Sequence, residues 1–334
     1  MTAKRNDVSV VMTVRNDGPG CVVTLNSLAT QTRSPDEIIV VDGGSTDDTP
    51  AVIRGFAASN PRIRWIEASG ANISQGRNIG TKAANSEIIA TTDAGCHAAP
   101  DWLEKLVQPF EEDPQTEFVA GVYRIEAHSL LEEVVGLATM RGQLDPFDPV
   151  AFNPSARSLA YTKSLWERVG GWPDWIQFSE DTLFDHKVRQ TTAGRRFAGD
   201  AVVSWRPRSS VAAIARQFYN YGTGRGHTQI GAADFSYNLR NFGLVFVALA
   251  FCVATAWAVP IVGAMLAYFY VWTFHAKAVR IARWTNRRAA YPVCMCVMWV
   301  VMASGMSGYV AGSWERWRNQ ARYRKRIEAY LSTA

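Results

Sequence analysis

Residues 37–49, EIIVVDGGSTDDT, are the most informative stretch of this chain. The apolar, β-branched run at 38–41 is typical of an interior strand in a parallel sheet. This strand ends on Asp42, and the next two residues are glycines, which permit a tight turn and a close approach of a ligand to the backbone. The residues after them predict a helix start, because three are good N-caps: Ser45, Thr46 and Asp47.

Asp42 therefore lies at the carboxyl end of a central strand, where open α/β sheets bind their ligands. A carboxylate at that edge can accept hydrogen bonds from the N–H edge of a base or from ribose hydroxyls. The alternative is that Asp42 only caps the next helix. This stretch by itself leaves both interpretations open.

The segments on either side alternate between strands and helices. The pattern predicts strands over 8–14, 63–66, 87–92, 118–123, 159–162 and 197–205, a turn over 16–20, helices over 22–31, 73–84 and 101–110, and a loop over 143–154. Such alternation predicts an α/β fold with a mainly parallel sheet and helices on both faces.

Two long segments near the C-terminus carry no charged residue, namely Phe242–Phe274 and Ala289–Ser313. Their length suits transmembrane segments better than buried helices of a soluble core. As one helix, the first would be roughly 50 Å long, against a bilayer core of roughly 30 Å. Either it is a hairpin that turns near Pro260, which gives three segments in total, or it is one kinked helix, which gives two. We favour three.

The net charge of +5 is concentrated beside these apolar segments. The basic residues between and after them are Lys277, Arg280, Arg283, Arg287, Arg288, Arg316, Arg318, Arg322, Arg324, Lys325 and Arg326. Such clusters favour contact with anionic lipid headgroups on the cytoplasmic side, whereas no recognition motif indicates nucleic-acid binding. The start of the chain shows no signal-peptide pattern, and the five cysteines show no disulfide or zinc spacing. We expect a reduced, cytoplasmic domain attached to the inner membrane, with a multi-pass topology.

Two further acidic positions suggest chemistry. Asp93, like Asp42, comes at the end of an apolar strand, so both carboxylates are expected along one edge of the sheet. Mg²⁺ and Mn²⁺ favour carboxylate oxygens, and His97, four residues later, is a candidate Mn²⁺ ligand or simply a structural histidine. Glu180 and Asp181 open a predicted helix, where they either favour the helix dipole or present a general base.

Five motifs occur in an order that resembles family-two glycosyltransferases of the GT-A (Rossmann-like) fold. They are VSVVMTVRND at 8–17, EIIVVDGGSTDDT, GRNIG at 76–80, TTDAG at 91–95 and GGW…SEDTLF at 170–184. The resemblance covers roughly residues 8–194. It implies that Asp42 contacts the base of a nucleotide-sugar, that Arg77 lies near the base or diphosphate, and that Asp181, beside Glu180, deprotonates the acceptor.

The resemblance also implies a set of donor-binding residues. They are Thr13, Arg15, Asn16, Asp42, Gly43, Ser45, Arg77, Thr92 and Asp93. It further implies a Mg²⁺ or Mn²⁺ cofactor held by Asp93, the first acid of the family's DxD motif. The second acid is replaced by Gly95, so either Asp93 binds the metal with waters, or His97 substitutes, or metal dependence is weak. In related dolichyl-phosphate mannose synthases, a Gln at the offset of His97 contacts the metal.

The QxxRW motif of processive synthases is absent, and a segment rich in Arg, Tyr and Gly, residues 216–226, takes its place. It resembles the segment before the membrane helices of membrane-attached members of the family. Arg216, Gln217 and Arg225 are therefore expected either to meet diphosphate or acceptor, or to belong to a basic interfacial helix without catalytic duty.

Together these patterns predict an inverting glycosyltransferase that moves a sugar, from a UDP-sugar by family inference, to a lipid-linked or polysaccharide acceptor. The expected domains are a catalytic domain (1–208), an interfacial segment (209–241), transmembrane segments (242–312) and a basic tail (313–334). The expected partners are the donor, the acceptor and membrane lipids, without nucleic acid. Two alternatives remain: a sugar-phosphate nucleotidyltransferase, or a non-catalytic membrane scaffold, which Gly95 favours.

Overall fold

A computed structural model describes residues 6–140, 142–145, 154–231 and 259–332, with the single positions 233, 243 and 247. The chain divides into two compact units. We call the first the sheet unit; it contains the chain up to Glu126, Asp145–Arg206 and the chain from Arg326 onward. We call the second the helical unit; it contains Ala127–Leu144 and Pro207–Lys325.

The strands of the sheet unit form one sheet. They are β1 (Val8–Val14), β2 (Glu37–Asp42), β3 (Ile63–Glu67), β4 (Ile88–Asp93), β5 (Cys96–Ala98), β6 (Phe118–Ile125), β7 (Leu159–Thr162) and β8 (Arg195–Trp205). Their order is β3-β2-β1-β4-β7-β6-β8-β5. Strands β1 to β4 pair in parallel, as do β6 and β8, whereas β7 is antiparallel to both of its neighbours and β5 is antiparallel to β8. The predicted α/β class is confirmed.

The described helices connect these strands and continue beyond them. In chain order they are α1 (Gly18–Ala29), α2 (Thr49–Ser59), α3 (Ile73–Ala83), α4 (Trp102–Glu112), α5 (Leu130–Thr139), α6 (Lys163–Arg168), α7 (Glu180–Thr191), α8 (Val211–Thr228), α9 (Val259–Tyr270), α10 (Ala276–Trp284), α11 (Ala290–Arg318) and α12 (Arg324–Ser332). A π-helical turn, Val271–His275, joins α9 to α10.

Two apolar cores lie on the two faces of the sheet, because successive strand residues point to opposite sides. On β1, Val10 and Met12 face one core, which α1 and α4 complete, while Val11 faces the other. The second core is completed by α6 and α7, and it holds Trp172, Phe184 and Tyr161. Helix α3 packs so closely on that face that a Cβ at Gly80 would overlap the Val11 side chain. Burial on both faces explains why the strands read as continuous apolar runs.

Two helix starts differ from the sequence prediction. The predicted turn over 16–20 is wrong beyond Asp17, because α1 already begins at Gly18, with Asp17 as its N-cap and a proline in its first turn. Helix α2 begins at Thr49 after Asp48, so none of the three expected N-caps holds that position. The Ser45 hydroxyl instead donates a hydrogen bond to Asp42 Oδ1. This bond ties the loop after β2 to the edge of the sheet.

Two helices of the helical unit are long and apolar enough to cross a membrane, by length and composition, among the residues that the structure describes. They are Val259–Trp284 and Ala290–Arg318. The first overlaps the predicted segment Phe242–Phe274, which is described continuously only from 259 onward. Most of the predicted loop over 143–154 also lies outside the described residues.

Helices α8 and α11 pack closely through glycines of both. A Cβ at Gly222 of α8 would overlap the Gly305 carbonyl oxygen, and a Cβ at Gly308 of α11 would overlap that of Tyr219. Small residues four apart allow two helix backbones to approach in this way. Near the end of α8, His227 is stacked on Tyr323, and its Nε2 lies 2.8 Å from Glu315 Oε2. The GxG-rich segment of α8 is therefore a packing surface within the helical unit.

Candidate active site

Asp42 lies at the carboxyl end of β2 and is almost completely buried. Its Oδ1 accepts hydrogen bonds from the Gly44 and Ser45 backbone amides, at 3.1 and 2.9 Å, and from Ser45 Oγ at 2.7 Å. Its Oδ2 is buried and has no hydrogen-bond partner among the described residues. A buried carboxylate oxygen without a donor is costly, so this atom is suited to a ligand that brings one. Asp42 therefore does not cap α2.

The loops after β1 and β2 are tied to each other at the same edge. The Asn16 amide donates to Ser45 Oγ at 2.8 Å, and Asn16 Oδ1 accepts from the Thr46 amide at 2.8 Å. Asn16 adopts φ 53°, in the left-handed region, which asparagine tolerates better than most residues. These bonds bring together the predicted donor-binding residues of both loops. They are Thr13, Arg15, Asn16, Asp42, Gly43 and Ser45.

Strand register places Asp42 and Asp93 on the same edge. Asp42 lies opposite Val14 of β1, and Asp93 lies opposite Thr13 on the other side of β1. With a strand spacing of about 4.8 Å, the two Cα atoms are about 10 Å apart. Thr92, the preceding residue of β4, is buried, and its hydroxyl has no hydrogen-bond partner among the described residues.

Arg77 of α3 joins two predicted site residues. Its Nη2 lies 3.0 Å from Asp93 Oδ1, and its Nη1 lies 3.1 Å from Glu180 Oε1 at the start of α7. The Arg77 side chain is only 4% exposed, against 22% for Asp93 and 13% for Glu180. Three segments far apart in sequence thus meet at one guanidinium, whose planar geometry suits carboxylates and phosphates alike.

Trp172 supports this guanidinium, and the sequence prediction did not assign it to the site. Its indole ring lies 4.8 Å below the Arg77 guanidinium and is stacked on Phe184 of α7 at 3.9 Å. Asn78, next to Arg77, accepts from the Trp172 amide at 2.8 Å and donates to the Trp172 carbonyl at 2.8 Å. The signal was present in the GGW motif that ends on Trp172, but its contact with Arg77 depends on tertiary packing.

The acidic pair at the start of α7 has an unusual electrostatic environment. Burial, together with the nearby charge of Asp181, raises the pKa of Glu180 from 4.5 to about 7, although Arg77 opposes the shift. Asp181 is half-buried, and its Oδ1 accepts from the Thr182 amide at 2.7 Å. Near neutral pH Glu180 is therefore about half-protonated. Such shifts are common at catalytic sites.

A metal site of several protein ligands is not formed by the described residues, since no three His, Cys, Asp or Glu side chains are grouped for it. Gly95 adopts φ +83°, and a Cβ there would lie 3.5 Å from Asp17 Oδ2, so an aspartate would meet strain and repulsion. Asp93 is partly exposed, while His97 lies exposed on β5 opposite Ser204. Mg²⁺ in nucleotide enzymes is commonly held by one or two carboxylates plus substrate phosphates. Asp93 fits a cation that arrives with a diphosphate.

The remaining predicted site residues lie on α8 in the helical unit. Gln217 Nε2 donates to the Tyr221 hydroxyl at 2.8 Å, and Arg225 Nη1 donates to the Ile230 carbonyl at 2.8 Å. Arg216 lies one residue before Gln217 on the same helix. Their expected contact with diphosphate or acceptor stays a prediction.

Comparisons with known proteins identify relatives of this chain among the glycosyltransferases. The family model described as "Glycosyl transferase family 2" matches residues 9–165. Escherichia coli YibD, an uncharacterized glycosyltransferase, is 31% identical over 34% of this chain and 33% of its own length. Bacillus subtilis EpsJ, also an uncharacterized glycosyltransferase, is 26% identical over 53% of this chain and 54% of its own. The glycosyltransferase AglE of Haloferax volcanii is 25% identical over 70% of this chain and 77% of its own.

A solved structure shares the fold over most of the chain. It is the mannosyltransferase PcManGT from Pyrobaculum calidifontis, in complex with GDP-Man and Mn²⁺, with a TM-score of 0.58 and 22% identity over 94% of this chain and 88% of that one. The chain spans only about a third and about half of the length of YibD and EpsJ. The expected GT-A fold is confirmed, and residues 9–165 form a domain that matches the glycosyl transferase family 2 model.

Proposed function

We propose that this protein is an inverting glycosyltransferase that moves one sugar from a nucleotide-sugar, a UDP-sugar by preference, to a lipid-linked or polysaccharide acceptor. The observation that carries the proposal is the bridge from Asp93 through Arg77 to Glu180. It joins the end of a central strand, where a donor would bind, to the helix that would supply the base. The family match and the glycosyltransferase relatives support the reaction class.

The donor nucleoside is proposed to bind between Asp42 and Asp93. The unpartnered Oδ2 of Asp42 supports this placement, because an N–H group of a base or a ribose hydroxyl would satisfy it. Asp93 would then meet the ribose and the diphosphate side of the donor. PcManGT is described with GDP-Man, so guanine nucleotides belong in any test beside uracil nucleotides.

Arg77 is proposed to hold the donor diphosphate in the reactive position. Its guanidinium is already fixed by Trp172, Asp93 and Glu180, so little reorganisation accompanies the reaction. A divalent cation carried by the donor and held by Asp93 would offset the negative charge that develops on the leaving diphosphate.

Asp181 is proposed as the general base. Its carboxylate would accept the proton of the acceptor hydroxyl while that oxygen forms a bond to the anomeric carbon. The bond from this carbon to the diphosphate oxygen breaks at the same time, on the opposite face, so the configuration inverts. Glu180, half-protonated near neutral pH, would limit the repulsion between Asp181 and the donor phosphates.

The acceptor is proposed to reach the site at the cytoplasmic face of a membrane. The two apolar helices Val259–Trp284 and Ala290–Arg318 support attachment to a bilayer. Exposed tryptophans occur near helix ends, as expected at a membrane–water interface. They are Trp284, Trp314 and Trp317.

A screen of UDP-, GDP- and other nucleotide-sugars, with and without Mg²⁺ or Mn²⁺, tests the proposal. We expect one donor to raise the melting temperature and to release nucleoside diphosphate. Asp181→Asn should abolish turnover without weakening donor binding, while Asp200→Asn, at an exposed strand position, should leave both unchanged. Release of pyrophosphate would identify a nucleotidyltransferase, and binding of no nucleotide-sugar would identify a scaffold. Full activity of Asp181→Asn would remove the assigned base.

A further inference from the structure

The last helix of the chain, α12, makes specific contacts within the sheet unit. The Tyr330 hydroxyl donates to the Gly171 carbonyl at 2.8 Å. Lys187 of α7 donates from Nζ to the Leu331 carbonyl at 3.3 Å, and its ammonium lies 6.0 Å from the centroid of the Tyr330 ring. The C-terminal helix thus contacts both the turn before Trp172 and helix α7.

The two contact points of α12 lie directly behind the candidate site. Gly171 adopts φ +75° in the turn that sets the direction of Trp172, the residue beneath Arg77. Lys187 lies one turn beyond Phe184 on α7, and Phe184 is stacked on Trp172. Helix α12 therefore contacts both the turn that carries Trp172 and the helix that begins with Glu180.

The side chains that form and surround these contacts are buried or half-buried, so the loss of a contact is costly. Lys187 is fully buried, as are Trp172 and Phe184 to within 1%. A buried ammonium requires hydrogen-bond acceptors, and the last carbonyl groups of a helix are both unpaired and at the negative end of its dipole. The Tyr330 side chain is half-buried, and this burial raises the pKa of its hydroxyl. Loss of these partners cannot be compensated by water without opening the packing.

We propose that Tyr330 is a positioning residue: by holding the Gly171 carbonyl, it fixes the turn under Trp172 and, through the stack of Trp172 on Phe184, the start of α7. The Glu180–Asp181 pair is thereby kept at its distance from Arg77. Helix α7 is about 18 Å long, and a small tilt of this helix at Phe184 and Lys187 would displace its first residues. The role of Asp181 in this inference rests on the proposed function, whereas the coupling of Tyr330 to helix α7 does not.

The test compares Tyr330→Phe with Ser332→Ala in the full-length protein in detergent or nanodiscs. Both variants remove one hydroxyl from α12, but Ser332 is exposed and its hydroxyl donates locally, to the Ala329 carbonyl. Amide hydrogen exchange over 170–191 is measured without ligand. Steady-state turnover is then measured with the nucleotide-sugar identified by the screen above, well below the melting temperature.

We expect Tyr330→Phe to accelerate exchange in this segment about 3- to 10-fold, the equivalent of one lost hydrogen bond. The kcat should fall by a similar factor, whereas the donor KM should change less, because Arg77 keeps its ion pair with Asp93 when the turn under Trp172 loosens. Ser332→Ala should match the wild type in both measurements.

Two outcomes would overturn the inference: unchanged exchange over 170–191 in Tyr330→Phe, or a fall in kcat accompanied by an equal rise in donor KM. Faster exchange in a protein that transfers no sugar would instead refute the proposed function and leave the coupling of α12 to α7 intact. As a second variant, Lys187→Met keeps the apolar stem and should accelerate exchange in the same segment.

Discussion

Replacement of Glu180 by glutamine should make the protein more stable, and increasingly so as the pH rises. The pKa of Glu180 is raised from 4.5 to about 7, mainly by burial. The native state therefore binds its proton more tightly than the unfolded state, and the stability of the wild type falls as the pH rises through this window. Each unit of pKa corresponds to about 1.4 kcal/mol, so the ionised carboxylate costs about 3 kcal/mol at pH 8.

Glutamine resembles the protonated acid in shape and does not ionise, so the variant avoids this cost. We expect Glu180→Gln to be more stable than the wild type by about 1 kcal/mol at pH 5 and by about 3 kcal/mol at pH 8. For a unit of 150–250 residues, these values correspond to rises in melting temperature of about 2–4 °C and about 6–12 °C. The side chain is only 13% exposed, so solvent screening removes little of the effect.

The assay is thermal unfolding of the full-length protein at pH 5, 6, 7 and 8, with Glu167→Gln as the matched control. Glu167 is an exposed glutamate on α6. The control should shift the melting temperature equally at every pH. If the difference in melting temperature between Glu180→Gln and the wild type is also independent of pH, then Glu180 does not titrate in this range. That result would refute a pKa of Glu180 raised by burial.

Three other perturbations follow from the same structure. Arg77→Met removes the shared partner of two carboxylates and should destabilise the sheet unit by about 3 kcal/mol, more at pH 8 than at pH 5, in chemical unfolding. Gly308→Val would overlap the Tyr219 carbonyl oxygen, so α8 should show faster amide exchange than in Gly263→Val, where a Cβ meets open space. Burial raises the pKa of Cys21 and Cys96 to about 12, so both should resist alkylation until the chain unfolds, as followed by mass spectrometry.

The local elements were predictable because their signals are local. The runs before Asp42 and Asp93 are continuous apolar strands, and the structure has β2 and β4 at those residues. Helix α3 begins with a capping box of Asn72 and Gln75, a signature that lies within four residues of sequence. Helix starts at 18 and 49 were misplaced because several consecutive residues there can serve as N-cap, and packing chooses among them.

Local patterns were enough to predict the class of fold and the edge of the sheet where Asp42 and Asp93 lie, because strand periodicity and chain direction are local properties. The bridge from Asp93 through Arg77 to Glu180 was visible only in the folded protein, since these residues belong to three elements joined by packing. The same holds for the hydrogen bond from Tyr330 to Gly171, a contact across 159 positions. No local pattern encodes such contacts, because they depend on how side-chain volumes fill a shared core and not on the period of any one segment.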